Sequence, residues 1–280
     1  MKRPEKLESK NQKLKAKKSL GQNFLHDAEV IDDIFLVADV KKTDWVFEIG
    51  PGTGVLTFRL SDQVEKLLAI ELDRELVARL IEHYVDSKSV SILEGNVLDI
   101  DLKEVLEASG FSEHPYKIIA NIPYYITAPI IRTLLSLPYQ PASMTLMVQD
   151  EVADRLSAKP GEMSLLSLMA QYYATVEKKF SVPKEAFDPV PKVNSAIIHI
   201  VPKRPYDPEE DRKVFRLARA GFSARRKTLA NNLSSSFSVS KESVEENLES
   251  LGLRRDIRAQ ALSVTDWENL QKIFRTEEEQ

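Results

Sequence analysis

From Trp45 to Gln149 the chain repeats one pattern: a short apolar run, a glycine or polar residue, then a segment with apolar residues at helical spacing. "WVFEIG" (45–50) precedes "VLTFRLSD" (55–62), and "KLLAIEL" (66–72) precedes "DRELVARLIEHYV", where Leu76, Val77, Leu80, Ile81 and Tyr84 share one helical face. "SVSILEG" and "YKIIAN" read as third and fourth strands, "APIIRTLLSL" as a helix and "SMTLMVQ" as a fifth strand. Strands that are apolar throughout and separated by helices fit a mostly parallel sheet covered on both faces. The expected fold is therefore α/β, and ligands bind such sheets beyond the carboxyl ends of the strands.

After this region "TVEKKFSV" and "VNSAIIHIV" are separated only by the loop "PKEAFDPVPK", which predicts an antiparallel hairpin at one sheet edge. Beyond "PKRPYDPEED" the texture is helical only, at about 209–222, 225–235, 240–251 and 263–275. The prolines of "RPYDP" suggest a domain boundary near 203–208. Three parts follow: a basic tail over 1–18 read as disordered when free, a ligand-binding domain over 19–203, and a small all-α domain over 204–280.

Charge narrows the function. The net charge of −4 argues against a polyanion partner, but its distribution argues for one. Residues 1–18 carry eight Lys/Arg against two Glu, and "RKVFRLARAGFSARRKTLANNL" (212–233) carries seven Lys/Arg and no acid. Basic clusters on an acidic chain mark a placed binding surface, here with Arg216, Arg219, Arg225, Arg226 and Lys227 as candidate phosphate contacts. With no cysteine, thiolate nucleophiles, disulfides and cysteine-based zinc sites are excluded, and a reducing cytosol is a fitting setting. The four histidines are scattered without metal-site spacing. No apolar run is long enough for a membrane span, and the basic N-terminus lacks the apolar core of a secretion signal.

The turn "FEIGPGTGVLT" (47–57) joins the first strand to the first helix through Gly50, Gly52 and Gly54. Glycines there allow the backbone to turn tightly and approach a ligand beside a helix N-terminus. The spacing is not that of a dinucleotide fingerprint, since position 55 is Val, and no Walker phosphate loop is present. Glu71, at the end of the second strand, is placed to accept from ribose hydroxyls, as acids do in nucleotide sites. Asn96, after the third strand, can donate and accept at an adenine edge or serve as a simple turn residue.

The fourth strand ends in Asn121-Ile122-Pro123-Tyr124. An adenine amino group is a poor nucleophile because its lone pair is delocalised into the ring. Two acceptors aimed at its hydrogens favour the sp³ geometry that frees the pair. The Asn121 side-chain oxygen and the Ile122 carbonyl can supply them, on a turn stiffened by Pro123. Tyr124 is placed to stack on the base, whereas Tyr125 lines the pocket or packs beneath it. Phe187, in a loop held by Pro189 and Pro191, either closes the other face of the base or plugs the core.

Together these segments resemble the ribosomal RNA adenine dimethyltransferase family of class I methyltransferases, whose fold is Rossmann-like. The matches are "KKSLGQNFL" (17–25), "EIGPGTGVLT" (48–57), "NIPYYITAPII" (121–131), "FDPVPKVNSAI" (187–197) and "FSARRKTLANNL" (222–233), in family order and over nearly the whole chain. The resemblance is strongest to the housekeeping small-subunit branch. It implies S-adenosylmethionine as cofactor, held by Asn23, Leu25, Gly50, Gly52, Glu71, Asn96 and Asn121, and catalysis by Asn121, Ile122, Pro123, Tyr124 and Phe187. It further implies dimethylation of two adjacent adenosines near the 3′ end of small-subunit ribosomal RNA; a partly assembled particle is the expected substrate beside naked RNA, a monomer is the default state, and no metal is expected from the residues. Where the family usually has Asp, this chain has Asn96, whose amide oxygen can accept in the same way. The alternatives are a large-subunit methyltransferase of the antibiotic-resistance type and a non-catalytic assembly or transcription factor on the same fold. A DNA adenine methyltransferase fits less well, because those usually carry Pro-Pro-Tyr or Pro-Pro-Phe at the catalytic turn.

Overall fold

The computed structural model describes residues 16, 17 and 20–278, so the expected basic tail lies outside the described residues except for Ala16 and Lys17. In chain order the strands are β1 (Phe24–Leu25), β2 (Trp45–Ile49), β3 (Lys66–Glu71), β4 (Val90–Glu94), β5 (Tyr116–Asn121), β6 (Ser143–Gln149), β7 (Ala174–Val182), β8 (Phe187–Asp188) and β9 (Ser195–Pro202). The helices are α1 (Ala28–Ala38), α2 (Val55–Ser61), α3 (Arg74–His83), α4 (Leu102–Ala108), α5 (Thr127–Leu135), α6 (Asp150–Leu156), α7 (Leu165–Tyr173), α8 (Pro208–Gly221), α9 (Leu229–Phe237), α10 (Lys241–Ser250) and α11 (Val264–Glu278).

Seven strands form one sheet in the order β4-β3-β2-β5-β6-β9-β7. The first five of these pair in parallel, and β9 turns antiparallel against β6. This is the Rossmann-like sheet with the expected antiparallel edge. Its central strands are buried on both faces: Val46, Phe47, Leu67, Ile118, Ile119, Met144 and Leu146 are essentially inaccessible. Burial of such side chains stabilises the sheet by about 1.5–3 kcal/mol each relative to exposure. Parallel pairing in register brings Ile49, Glu71, Glu94 and Asn121 to one rim, and the functional turns leave from there.

The chain divides into two compact units, Met1–Ala153 with Val176–Lys203, and Asp154–Thr175 with Arg204–Gln280. One division between the units falls at 203. Residues 154–175, which the sequence reading leaves in the first domain, group instead with the C-terminal helices. The reason is local to that unit. Ser164 and Ser167 form a reciprocal capping box that starts α7. Tyr172 then packs edge-on and Tyr173 tilted against Phe215 of α8, and the Tyr173 hydroxyl donates to Asp211 at 2.7 Å. Within the same unit α9 begins at Leu229, later than the helix predicted from 225, because Thr228 takes the N-cap and accepts from Asn231 N–H.

Candidate active site

Three turns and one extended segment of the first unit build a single cleft. It is lined by residues 20–25, the glycine turn, the exits of β3 and β4, and the turn after β5. Counted to its open mouth, the cleft holds about 1010 Å³.

The glycine turn has the conformation its sequence requires. Gly50, Gly52 and Gly54 have φ of 66°, 59° and 85°, in the left-handed region that side chains disfavour. A Cβ at Gly54 would also lie 2.8 Å from the Phe58 ring, so this position excludes larger residues on two grounds. Glu71 holds the turn. One carboxylate oxygen accepts Gly52 N–H at 2.9 Å, and the other accepts Asp73 N–H at 2.9 Å. Each oxygen retains lone-pair capacity, so the acid is fixed in place and still able to accept from a ligand hydroxyl.

Asp73 ties the N-terminal segment to this rim. It caps α3 through Glu75 N–H, accepts from Gln22 Nε2 at 2.9 Å, and meets Lys17 Nζ at 2.5 Å. Burial raises its pKa, but the hydrogen bonds from Lys17, Gln22 and Glu75 N–H outweigh that and leave it below the ordinary value. The segment then pairs as β1 against β8, with Leu25 opposite Phe187. Local pattern would read "SLGQNFL" as a helix entry; the strand pairing replaces that reading and lays residues 20–25 along the cleft.

Asn121 Nδ2 donates to the Asn23 carbonyl at 3.4 Å, a long bond that still orients the amide. Its oxygen is thereby left as the available acceptor. Ile122 is anchored through its N–H to Met147 O at 3.1 Å, and no described hydrogen bond uses its carbonyl. Pro123 starts a 3₁₀ turn over Tyr124–Ile126, closed by Ile126 N–H on Pro123 O. Tyr124 is half-buried, and its hydroxyl shares a 2.6 Å hydrogen bond with Ser195 Oγ. Burial raises the Tyr124 pKa, keeping the ring a neutral phenol. Ser195 is wholly buried and fixes that ring, a role that reading the sequence does not assign. Tyr125 is 59% exposed at the mouth, against Gly21, so it belongs to the rim and does not pack beneath the pocket.

Thus Asn23, Leu25, Gly50, Gly52, Glu71, Asn96, Asn121, Ile122, Pro123 and Tyr124, scattered over a hundred residues of sequence, line one cleft. Phe187 does not join them. It is 1% exposed, lies in a core cluster with Leu25 and Ile31, and does not line the cleft. In this structure the ring packs as a plug among core neighbours.

The cleft also contains Glu48, which sequence reasoning passes over as one residue of an apolar strand. It is 1% exposed, and its Oε2 and the Thr57 hydroxyl both lack a partner in hydrogen-bonding geometry. Burial pushes the Glu48 carboxyl up to about 8, Thr57 draws it down, and the Glu71 charge adds to the rise. An acid in so apolar a run was the available signal. Glu48 puts an orphaned polar atom in the wall, and Glu71 is a fixed acceptor tied to the glycine turn. These acceptors suit a ligand that donates from ribose hydroxyls and an amino group, as S-adenosylmethionine does.

In the second unit the basic stripe is placed by α8. Val214, Leu217, Ala218 and Gly221 are buried, which turns Arg212, Arg216 and Arg219 outward on the opposite face. Arg216 lies over the Phe237 ring, 5.1 Å from its centroid. Arg225, Arg226 and Lys227 are exposed in the turn before α9, and that turn is anchored by buried Asn232, whose Nδ2 donates to Gly221 O at 2.6 Å and Ala224 O at 3.1 Å. No described ion pair uses Arg219, Arg225, Arg226 or Lys227. Among the described residues no group of His, Asp and Glu is arranged to hold a metal, and no helix is long and apolar enough to cross a membrane.

Comparison with known proteins agrees with this geometry. A family model described as ribosomal RNA adenine dimethylase matches residues 13–276. A curated protein of Levilactobacillus brevis, named ribosomal RNA small subunit methyltransferase A, is 39% identical over 272 residues, covering 95% of this chain and 92% of its own. A protein of the same name from Streptococcus thermophilus is 37% identical, covering 92% of each chain. Among solved structures, a dimethyladenosine transferase from Plasmodium falciparum superposes with a TM-score of 0.75 at 25% identity, over 91% of this chain and 98% of that one. The 23S rRNA methyltransferase ErmE superposes with a TM-score of 0.71 at 23% identity, over 89% and 98%, a likeness of fold. With motifs, rim geometry and relatives in agreement over nearly its full length, the chain belongs to the ribosomal RNA adenine dimethylase family.

Proposed function

We propose that this protein is an S-adenosylmethionine-dependent methyltransferase that converts adenosines of small-subunit ribosomal RNA to N6,N6-dimethyladenosine. Family membership and the small-subunit relatives support the reaction and the RNA, and they do not favour the large-subunit or non-catalytic alternatives. One arrangement carries the reading at the level of residues: Asn121 tethered by its nitrogen to Asn23 O, Ile122 anchored by its N–H to Met147 O, and Tyr124 pinned to Ser195.

Bound in the cleft, S-adenosylmethionine supplies a methyl group on a positively charged sulfur, a good leaving group for in-line transfer. Asn23, Leu25, Gly50, Gly52, Glu71 and Asn96 would hold it, with Glu71 accepting from the ribose. The Asn121 oxygen and Ile122 carbonyl orient the target amine, and Tyr124 gives the base a stacking surface worth about 1–3 kcal/mol. No general base of shifted pKa is needed, because the amino nitrogen becomes acidic as it is alkylated. Catalysis is positioning and fixed dipoles. The target base must be unpaired or flipped out to reach the turn.

The finer assignments are ours also. Two adjacent adenosines near the 3′ end are the target, presented by a partly assembled small-subunit particle in the cytoplasm, to a monomeric enzyme. The helical unit docks RNA phosphates through Arg216, Arg219, Arg225, Arg226 and Lys227, which makes affinity depend on salt. The test is to incubate the protein with radiolabelled cofactor and immature small subunits from a strain lacking its own enzyme. Label is expected on the 3′-terminal adenosines. Its absence there beside a working control enzyme overturns the proposal, and label confined to large-subunit RNA transfers it to the resistance-type reaction.

A further inference from the structure

The exit of β4 contains a hydrogen-bond arrangement that a ligand-lining turn does not by itself require. Gly95, Asn96 and Val97 line the cleft. Asn96 Nδ2 donates to Asp99 Oδ2 at 2.7 Å, while its Oδ1 accepts Leu98 N–H at 3.1 Å. The two ends of an asparagine amide are nearly the same size, and a side chain free to flip presents either one. Here the flip is decided twice. A backbone N–H requires the oxygen on one side, and a carboxylate, which only accepts, requires the nitrogen on the other. The backbone returns Asp99 to that position: the Asn96 carbonyl accepts Asp99 N–H at 2.9 Å and Ile100 N–H at 3.1 Å. The turn is also tied to the strand bearing the ribose acid, through Gly95 N–H on Glu71 O at 2.9 Å.

We propose that Asp99 sets the base specificity of the cofactor site, by holding the Asn96 amide with its oxygen as the acceptor offered at the cleft wall. The inference rests on the reading of the cleft as the S-adenosylmethionine site. A purine with an amine at C6 donates to that oxygen, whereas one with a carbonyl at C6 meets acceptor against acceptor. Asp99 is exposed and acts through Asn96, so it is a positioning residue. The same geometry accounts for an amide at position 96. A carboxylate there would face the Asp99 carboxylate across a distance where the present pair makes a 2.7 Å hydrogen bond.

Calorimetric titration of the full chain with S-adenosylhomocysteine and S-inosylhomocysteine tests this. The native protein is expected to prefer the adenosyl compound, and Asp99→Ala to reduce that preference about tenfold, the worth of one hydrogen bond's orientation, about 1.4 kcal/mol. Asp99→Asn, which can still accept from Asn96 Nδ2, is expected to keep an intermediate preference. Asn96→Asp is expected to weaken adenosyl binding about tenfold, with recovery in Asn96→Asp/Asp99→Asn, and this pair decides the matter if Asp99→Ala fails to fold. An unchanged preference in folded Asp99→Ala, or native affinity in Asn96→Asp, overturns the inference. Failure of the native protein to bind either compound overturns instead the assignment of the cleft.

Discussion

The cleft and the basic stripe are both expected to bind parts of one RNA-modification reaction, yet they are built oppositely. In the cleft four polar side chains each have a neighbour that fixes them: Glu71 by two backbone N–H groups, Asn121 by Asn23, Tyr124 by Ser195, Asn96 by Asp99. On the stripe, Arg219, Arg225, Arg226 and Lys227 extend from α8 and its following turn into solvent, and only the backbone beneath is fixed, by Asn232. A small ligand and a single reacting nitrogen require preorganised dipoles, because reorganisation during transfer would cost rate. Phosphates along a flexible RNA require charge at roughly the right spacing, and long side chains adapt to them. Substitutions in the cleft should therefore change rate, while substitutions on the stripe should change affinity and its salt dependence.

The largest effect should come from Asn121→Ala. Removing one oriented acceptor from the target amine is expected to lower the single-turnover rate by about 10²–10³, as loss of one preorganised dipole does elsewhere. RNA affinity should stay within about twofold. Single-turnover methylation and filter binding on the same preparation separate the two, and a variant with native rate would end the amine-orientation argument.

Next comes the stripe. Neutralising Arg216, Arg219, Arg225 and Arg226 together to Gln should weaken RNA binding about 10²-fold at low salt. The slope of log affinity against log salt should become shallower by about 3, near 0.7–0.9 per phosphate contact. Turnover at saturating RNA should remain. If turnover collapses while the salt slope holds, the division of labour between the two regions is wrong.

How much of this could be read from sequence follows from the range of the forces involved. The parallel strands and glycine turn are local, and β3's apolar run or Gly52's positive φ leave a signature within a few residues. The charge of the stripe was equally visible, but its placement was not: Arg225–Lys227 sit in a turn and not in a helix, because Thr228 caps α9. The pairing of β1 with β8 joins two-residue strands far apart in sequence, so no periodicity announces it. The same pairing buries Phe187, whose role could not be settled from a proline-rich loop alone. Residues 154–175 carry no boundary signal, and their place beside the C-terminal helices is decided by aromatic packing around Phe215.

Glu48 sharpens the comparison at its smallest scale, since it is the one cleft acid left without a fixing partner. Burial, as the leading cause, raises its folded-state pKa from an ordinary 4.5 to about 8. Between those values the folded protein binds a proton that the unfolded chain has released. That proton's contribution to stability is complete below about pH 4.5 and is lost as pH rises toward 8. Wild-type stability should thus fall by about 1 kcal/mol between pH 6.5 and 7.5, since one pKa unit corresponds to about 1.4 kcal/mol. Glu48→Gln keeps the shape and cannot ionise, so its urea midpoint should be nearly flat over the same interval. Parallel curves for the two proteins would mean that Glu48 is paired or solvated in solution, and that it is no exception beside Glu71, Asn96, Asn121 and Tyr124.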